Sequence, residues 1–330
     1  MAYLEPDYYE RFACKQGRCR TSCCEGWPIT ISLKDYYRLL SLDCPSDLRA
    51  KLDCALHILD NPTDEEYAQL LPNFFGNCPM HLDDGRCALH AALGEAALPL
   101  VCRQYPRSIR RAPVEERCCA NSCEAVLDMF LTRAEPIRFT GETANEKSLS
   151  VIHALQERRL PLPHRILALS GIEPLNRELT REELLWGMQV AERLLGIADE
   201  HSASVNAYGS LILGRQPQAE RAVDRYNEAK AHFVQIVPQW ETFFEHMLVN
   251  HVFFKGATDP LHGFTALCAI YALLRLLGMS WMSDKSDTDA LIDVCAAAFH
   301  LFDHTSFGQY AADMLRDLGA ENGCGVLLAL

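Results

Sequence analysis

The sequence predicts a mainly α protein, with an irregular, cysteine-rich, metal-binding N-terminal region packed on a C-terminal helical bundle. Three observations carry this expectation. Twelve of the 15 cysteines fall between Cys14 and Cys123, mostly in Gly- and Pro-containing loops. The second half holds four long segments with apolar residues at helical spacing. Strand signal there is slight.

Within the first region, TISLKDYYRLLSL reads as a short strand or turn and then a helix. Ser32-Leu-Lys-Asp35 and Thr63-Asp-Glu-Glu66 read as capping boxes, whose hydroxyl and carboxylate satisfy orphan N–H groups at a helix start. Asp83-Asp84-Gly85 is a turn signal for a tight hairpin between Cys78 and Cys87. The apolar pattern breaks near residues 135–147, at Pro136 and Gly141, which predicts a cysteine-rich domain over 1–140 and a helical domain over 141–330.

A further capping box, Thr180-Arg-Glu-Glu183, opens the first long helix, carried by Leu184, Leu185, Met188, Ala191, Leu194 and Leu195. Phe243, Phe244, Met247, Leu248 and His251 repeat the spacing. So do Phe264, Leu267, Cys268, Tyr271 and Leu274, and then Leu291, Val294, Cys295, Ala298, Phe299 and Phe302. Four such helices suggest an all-α bundle. Cys268 and Cys295 lie on the apolar faces, where a thiol acts as a small hydrophobe.

Composition narrows the class. A chain of 330 residues, 49% hydrophobic and 23% charged, is long enough for two domains with ordinary cores. A net charge of −13 argues against nucleic acid and against an anionic membrane surface as partners. The acidic, aromatic start lacks the features of a leader, and no apolar run is expected to reach membrane-spanning length. The expected setting is the cytoplasm, where thiols stay reduced, so an odd count of 15 cysteines is not a disulfide framework. No Walker-type loop or GxGxxG turn is present.

The cysteines run C-x4-C-x3-C-C from Cys14 through Cys19 and Cys23 to Cys24, followed by Cys78, Cys87, Cys102 and Cys123. Soft thiolates suit zinc, copper(I) and iron–sulfur clusters. The spacing matches neither paired CxxC knuckles nor a ferredoxin. It therefore specifies a thiolate-rich metal site and leaves iron–sulfur and zinc both open. Adjacent Cys23 and Cys24 diverge too much to serve one ion easily; one ligates while the other packs, or each serves its own centre. Cys44, Cys54 and Cys118 read as reduced structural thiols.

Four stretches in order carry a resemblance. They are Phe12-x-Cys14-x4-Cys19-x3-Cys23-Cys24-x-Gly-Trp27-Pro-Ile29-Thr-Ile31; Cys78-Pro-Met-His-Leu-Asp-Asp-Gly-Arg-Cys87-Ala-Leu; Leu93-Gly94-Glu95; and Leu98-Pro99-Leu-Val-Cys102-Arg103-Gln-Tyr105-Pro106-Arg107. Ser122-Cys123-Glu124-Ala125 follows, one Pro short of the family's pattern. The chain resembles the flagellin lysine-N-methylase family of bacteria, and its cysteine skeleton is similar to a broader family of zinc- or iron-chelating proteins. The matches cover residues 12–125; the helical half carries none. The resemblance implies a cytoplasmic methyltransferase acting on lysines of flagellin, with S-adenosylmethionine as donor. It also implies a [4Fe–4S] cluster drawn from Cys14, Cys19, Cys23, Cys24, Cys78, Cys87, Cys102 and Cys123. Four thiolates suffice for one such cluster. The other reading is a zinc-stabilised interaction module without catalysis.

Remaining polar groups admit two readings each. Arg103, Arg107, Arg110 and Arg111 form the densest basic run, either a carboxylate anchor for donor or substrate or partners of local acids such as Glu115 and Glu116. Tyr105 and Trp27 either hold a cation by their ring faces or pack against the cysteine loops. Arg103, Tyr105 and Arg107 are the candidate cofactor-binding residues. Glu25 and Glu95 are a base for the lysine amine or solvated carboxylates; His81 and His90 lie among the cysteines as ligands or proton donors. His300 and His304, one turn apart, are a metal pair without a third ligand or one face of a helix.

Overall fold

The computed structural model describes residues 3–20, 22–24, 29–74, 76–111, 114–142, 146–201, 219–256, 260–319 and 323–330. These are mainly helical, with 14 α-helices among the described residues. The chain divides into two compact units: residues 13–108, and residues 1–12 together with 109–330. The division therefore does not fall at 140. Residues 109–140 join the helical unit because their strands pair with the very start of the chain.

That start is a strand, β1 (Tyr3–Pro6). The smaller unit follows. Strand β2 (Ile29–Ile31) leads into helix α1 (Leu33–Leu40), as TISLKDYYRLLSL predicts, and Ser32 Oγ accepts the Asp35 amide at 3.2 Å. Helix α2 (Ser46–Ala55) then gives way to β3 (Leu56–Ile58) and β4 (Ala68–Leu70). These strands form an antiparallel sheet in the order β2-β4-β3, with Ile31 opposite Ala68 and Leu56 opposite Leu70. Thr63-Asp-Glu-Glu66 does not cap a helix. Its hydroxyl accepts the Glu66 amide at 3.0 Å, and the backbone closes back at 2.9 Å, making a turn before β4. Helix α3 (Ala88–Leu93), a 3-10 turn (Glu95–Ala97) and α4 (Leu100–Gln104) complete the unit. Its core gathers Ile31, Leu39, Leu52, Ala68, Leu70, Met80 and Leu89 around buried Cys78.

The larger unit begins its second pass with β5 (Arg107–Arg111) and β6 (Glu115–Cys119). With β7 (Phe139–Gly141) they build a sheet ordered β5-β6-β1-β7, in which β1 runs parallel to β6 and antiparallel to β7. Strands of three to five residues lack the length to show a readable alternation. Helices α5 (Glu124–Leu131), α6 (Glu146–Leu155), α7 (Leu162–Ala168), α8 (Arg181–His201), α9 (Ala219–Ile236), α10 (Trp240–Lys255), α11 (Pro260–Met282), α12 (Thr288–His304), α13 (Phe307–Asp317) and α14 (Cys324–Ala329) form the bundle. The Thr180 box is reciprocal: the Thr180 amide donates to Glu183 at 2.8 Å, and the Glu183 amide donates to Thr180 Oγ1 at 3.2 Å.

Helix α11 is the axis, touching α7, α8, α9, α12, α13 and α14. Contrary to the sequence expectation, its Gly263–Met282 stretch is long and apolar enough to cross a membrane, but 89% of it is buried within the fold. A helix apolar on every face is what an interior position demands. Cys268 and Cys295 are fully buried there, as their spacing predicts.

Helix α10 is nearly as enclosed and carries charge inward. Glu245 is 1% exposed and receives Arg158 at 2.8 Å and Arg165 at 2.6 Å. Removing one member of a buried ion cluster strands the others without counter-charge. Glu245→Ala is therefore expected to lower stability by about 3–5 kcal/mol, read as a fall in melting temperature of roughly 10 °C; an unchanged melting curve contradicts the assignment.

Candidate functional site

Two loops meet closely in the smaller unit through their backbones. Gly17 has φ +83° and Gly85 φ +81°, conformations that favour glycine. A Cβ built on Gly85 would stand 2.2 Å from the Gly17 carbonyl oxygen. The approach fixes the Cys14–Cys24 loop against the hairpin expected between Cys78 and Cys87, which forms through a His81–Cys87 bridge and a Gly85-to-Leu82 turn. A second tie, from the Cys78 amide to the Cys24 carbonyl at 2.7 Å, brings those two cysteines together.

Helix α4 is placed by α1. Buried Asp35 does not close its capping box; its carboxylate accepts the Leu100 amide at 2.8 Å, at the first residue of α4. Arg38 pairs with Asp35 at 2.8 Å and donates to the carbonyls of Ala96 and Leu98. Cys102, Arg103, Tyr105 and Arg107 follow on α4 and its exit, Arg103 exposed and the other three partly buried.

The thiols so gathered act on one another. Cys24 is held well below the usual thiol range by hydrogen bonds from Cys23 and then Cys78, against the opposing effect of burial. Cys23 and Cys24 sulfurs stand 4.0 Å apart. Cys78 is pushed up, first by its hydrogen bond to Cys24 and then by burial. Burial raises Cys87, with Cys24 adding to it. Cys102 is pushed up to about 12 by burial, then by Cys24, Cys87 and Asp35. Cys24, Cys78, Cys87 and Cys102 thus form one neighbourhood, with Cys23 beside it. Cys14 and Cys19 lie on the same loop, on either side of the Gly17 contact. Cys123 belongs to the larger unit, packed against its core just before α5. None of the 15 cysteines is in a disulfide.

Four soft donors fit a thiophilic centre in kind and number. They are not drawn to coordination distance: among the described residues, no three His, Cys, Asp or Glu side chains are grouped closely enough to hold a metal ion.

Other candidates resolve differently. Glu25 and Trp27 lie outside the described residues. Glu95 and His90 are exposed, and His81 is partly buried beside the thiols. Arg110 is spent on Glu116 and on the carbonyls of Phe253 and Phe254 at the end of α10, so it is a structural partner of a local acid and no anchor. His300 and His304 close on Ser122, from Nε2 of His300 to the carbonyl at 3.2 Å and between His304 Nε2 and the hydroxyl at 2.8 Å.

Around that clasp lies a buried polar network that the sequence reading missed. Asp303 Oδ2 accepts the Asn121 amide at 2.9 Å, and Oδ1 accepts Nδ1–H of His251 at 2.7 Å. Asn121 donates to the Met247 carbonyl at 2.9 Å; Asn250 donates to the Cys119 carbonyl at 2.8 Å and to Asn121 Oδ1 at 2.7 Å. The Tyr8 hydroxyl donates to Asn250. Asp303 stands between the two histidines already singled out, but its partners come from 52 and 182 positions away, beyond any local motif.

The comparisons with known proteins fall on both units. Residues 175–324 match the family described as the FliB lysine N-methylase C-terminal domain, the half in which the sequence reading found no motif. Over 303 residues the chain is 23% identical to the lysine-N-methylase of Salmonella typhimurium (strain LT2), covering 89% of this chain and 72% of that one. It is 22% identical, over the same shares, to the lysine-N-methylase of Salmonella choleraesuis. Over 108 residues it is 32% identical to the flagellar biosynthetic protein FliU of Salmonella muenchen, covering 32% of this chain and 61% of that one. No solved structure matches significantly. Fold and site define a helical protein with a thiol-rich unit inserted near its start. Residues 175–324 thus carry the likeness to the FliB lysine N-methylase C-terminal domain, and the chain as a whole is similar to lysine-N-methylases over 89% of its length.

Two outcomes follow. Gly85→Ala combines a left-handed φ with a backbone clash and is expected to lower stability by about 2–3 kcal/mol, whereas Gly76→Ala, with nothing within 4 Å of its Cβ, carries only the backbone strain; equal urea midpoints for the two contradict the loop contact. Burial holds His300 down at about 4 and lowers His304 and His246 as well. An imidazole that protonates in the unfolded chain near 6.5 but not in the fold leaves stability intact above that pH. Stability then drains as the pH falls from about 6.5 to 4, by on the order of 2 kcal/mol for His300. Urea midpoints compared at both ends show this loss, and His300→Gln flattens it.

Proposed function

We propose that this protein is a protein lysine N-methyltransferase that acts on flagellin in the cytoplasm, with S-adenosylmethionine as methyl donor and a [4Fe–4S] cluster as resident group. The observation that carries the reading is the alignment with lysine-N-methylases over 89% of the chain, which includes the thiol-rich unit as well as the bundle. The flagellar naming of the relatives supports the substrate.

The chemistry asks three things of the protein. A lysine side chain is almost wholly protonated at neutral pH, so the site must take a proton before the nitrogen can attack. Nitrogen, methyl carbon and sulfur must be held in line, which positioning supplies. The donor's carboxylate needs an anchor, and Arg103 or Arg107, presented by α4 and its exit, offers a bidentate fork. Tyr105 between them offers a ring face to a sulfonium or an ammonium.

Cys24, Cys78, Cys87 and Cys102 would hold the cluster, with Cys14, Cys19 and Cys23 on the adjoining loop. Such a group, with a thiolate on each iron, would cross-link the loops. The same four thiols also suit zinc, which supports the second reading, a zinc-stabilised module without catalysis.

Anaerobic purification followed by iron, sulfide and zinc analysis separates the two. The expected protein is brown, contains iron and sulfide, and methylates flagellin as read by mass spectrometry. Cys24→Ser and Cys102→Ser are expected to lose iron and activity together, while Cys54→Ser keeps both. Stoichiometric zinc in a colourless, inactive protein would favour the module instead.

A further inference from the structure

Helix α1 and the turn before β4 bring an aromatic cluster and a run of acids together at the surface of the smaller unit. Tyr36 and Tyr37 lie on α1, and Tyr67 leads into β4. Tyr36 meets Tyr37 edge-on, with ring centroids 5.4 Å apart, and meets Tyr67 at 5.2 Å with a 57° tilt. Tyr37 and Tyr67 stand 6.4 Å apart at 31°. Tyr36 and Tyr67 are half-buried against the unit's core, whereas Tyr37 is 57% exposed. A single exposed ring needs no explanation. Three in mutual contact beside unpaired charge are a different matter.

The charge comes from Asp64-Glu65-Glu66, all exposed. Backbone bonds pin this turn to the segments that carry the rings. The amide of Leu33, the first residue of α1, donates to the Asp64 carbonyl at 2.9 Å, and the Tyr67 amide donates to the Ile31 carbonyl at 2.9 Å. Among the described residues, no cation pairs with these three carboxylates. On α1, Asp35 holds Arg38, which leaves Lys34 as the one base set against them.

A ring face attracts a cation through its quadrupole, and clustered aromatic rings suit quaternary ammonium groups best. Methylation of a lysine nitrogen keeps the charge. It removes N–H donors and adds apolar surface, so the group gives up water for ring faces at less cost than a bare ammonium. Neighbouring carboxylates add an attraction that salt screens. Rings already packed against a core lose little freedom on binding. The same acids would repel a phosphate, whether of a lipid or of a nucleic acid.

We propose that Tyr36, Tyr37 and Tyr67, with the turn at 64–66, bind an N-methylated lysine side chain on a protein chain. The source of that side chain rests on the methyl-transfer reading above: the ligand is the modified substrate, which binds here more tightly than the unmodified one and so stays associated after a transfer.

The test uses the full chain and three forms of one short, otherwise neutral peptide. They carry lysine, trimethyllysine, or the uncharged carbon isostere of trimethyllysine. Carbon-13 labelling of the 11 tyrosines reads the binding, with signals assigned through Tyr36→Phe, Tyr37→Phe and Tyr67→Phe. Trimethyllysine is expected to shift the signals of those three rings and to bind about 5-fold or more tighter than either other form. Tyr37→Leu, at an exposed position, is expected to melt like the parent and to weaken binding by about 2- to 5-fold, while Tyr37→Phe, which keeps a ring face, binds as the parent does. Glu65→Gln with Glu66→Gln is expected to weaken binding and flatten its salt dependence. An isostere that binds as well as trimethyllysine, shifts confined to other tyrosines, or parental affinity in Tyr37→Leu overturns the proposal. A parent that methylates flagellin but does not bind the trimethyllysine peptide sinks this proposal alone. One that binds the peptide but transfers no methyl group sinks the methyl-transfer reading and leaves the site standing.

Discussion

A carboxyl group withdrawn from water must find partners to replace the water it gives up. Asp303 finds them by drawing distant segments to itself: the turn between β6 and α5 through Asn121, and α10 through His251. Asn250 and Tyr8 extend the same polar seam back to the first residues of the chain. A seam of this kind tolerates little slippage, since each displaced group would leave a buried partner unsatisfied. The apolar surfaces of α10, α11 and α12 supply the driving force, and the seam selects their register.

In the smaller unit the constraint is backbone proximity. Two glycines in contact, one amide-to-carbonyl bond and one carboxylate on the first residue of α4 are enough to collect cysteines from positions 24, 78, 87 and 102. Their shared neighbourhood sets one thiol well below its ordinary range and the others above it. That spread follows from placing several ionisable sulfurs where only one charge is easily borne.

How much of this was legible depends on range. The four long helices, the strand-to-helix step at Ser32 and the turn at Gly85 are local patterns, and they stand in the fold where the sequence places them. Val223, Tyr226, Ala229 and Phe233 spell α9 equally well but were not read. Thr63 and Glu66 show how a capping pattern serves a turn when no apolar periodicity follows it. The short strands left no alternation to detect. Asp35 obeyed its motif only in part, because an amide 65 residues away was the better partner for its carboxylate. His251 was visible as one more member of an apolar face; only the third dimension shows it opposite Asp303.

The strand order has a bearing on synthesis. β1 emerges among the first residues, yet its partners β6 and β7 lie more than 100 residues further along, beyond the whole of the smaller unit. At a translation rate of about 5–20 residues per second, the strand waits roughly 5–20 s on the ribosome with its backbone unpaired. During that interval all of residues 13–108, a compact unit in the fold, are synthesised. The segments of the cysteine loops would then be made before those of the bundle, and the helices that follow would close the larger unit around a strand synthesised well ahead of them.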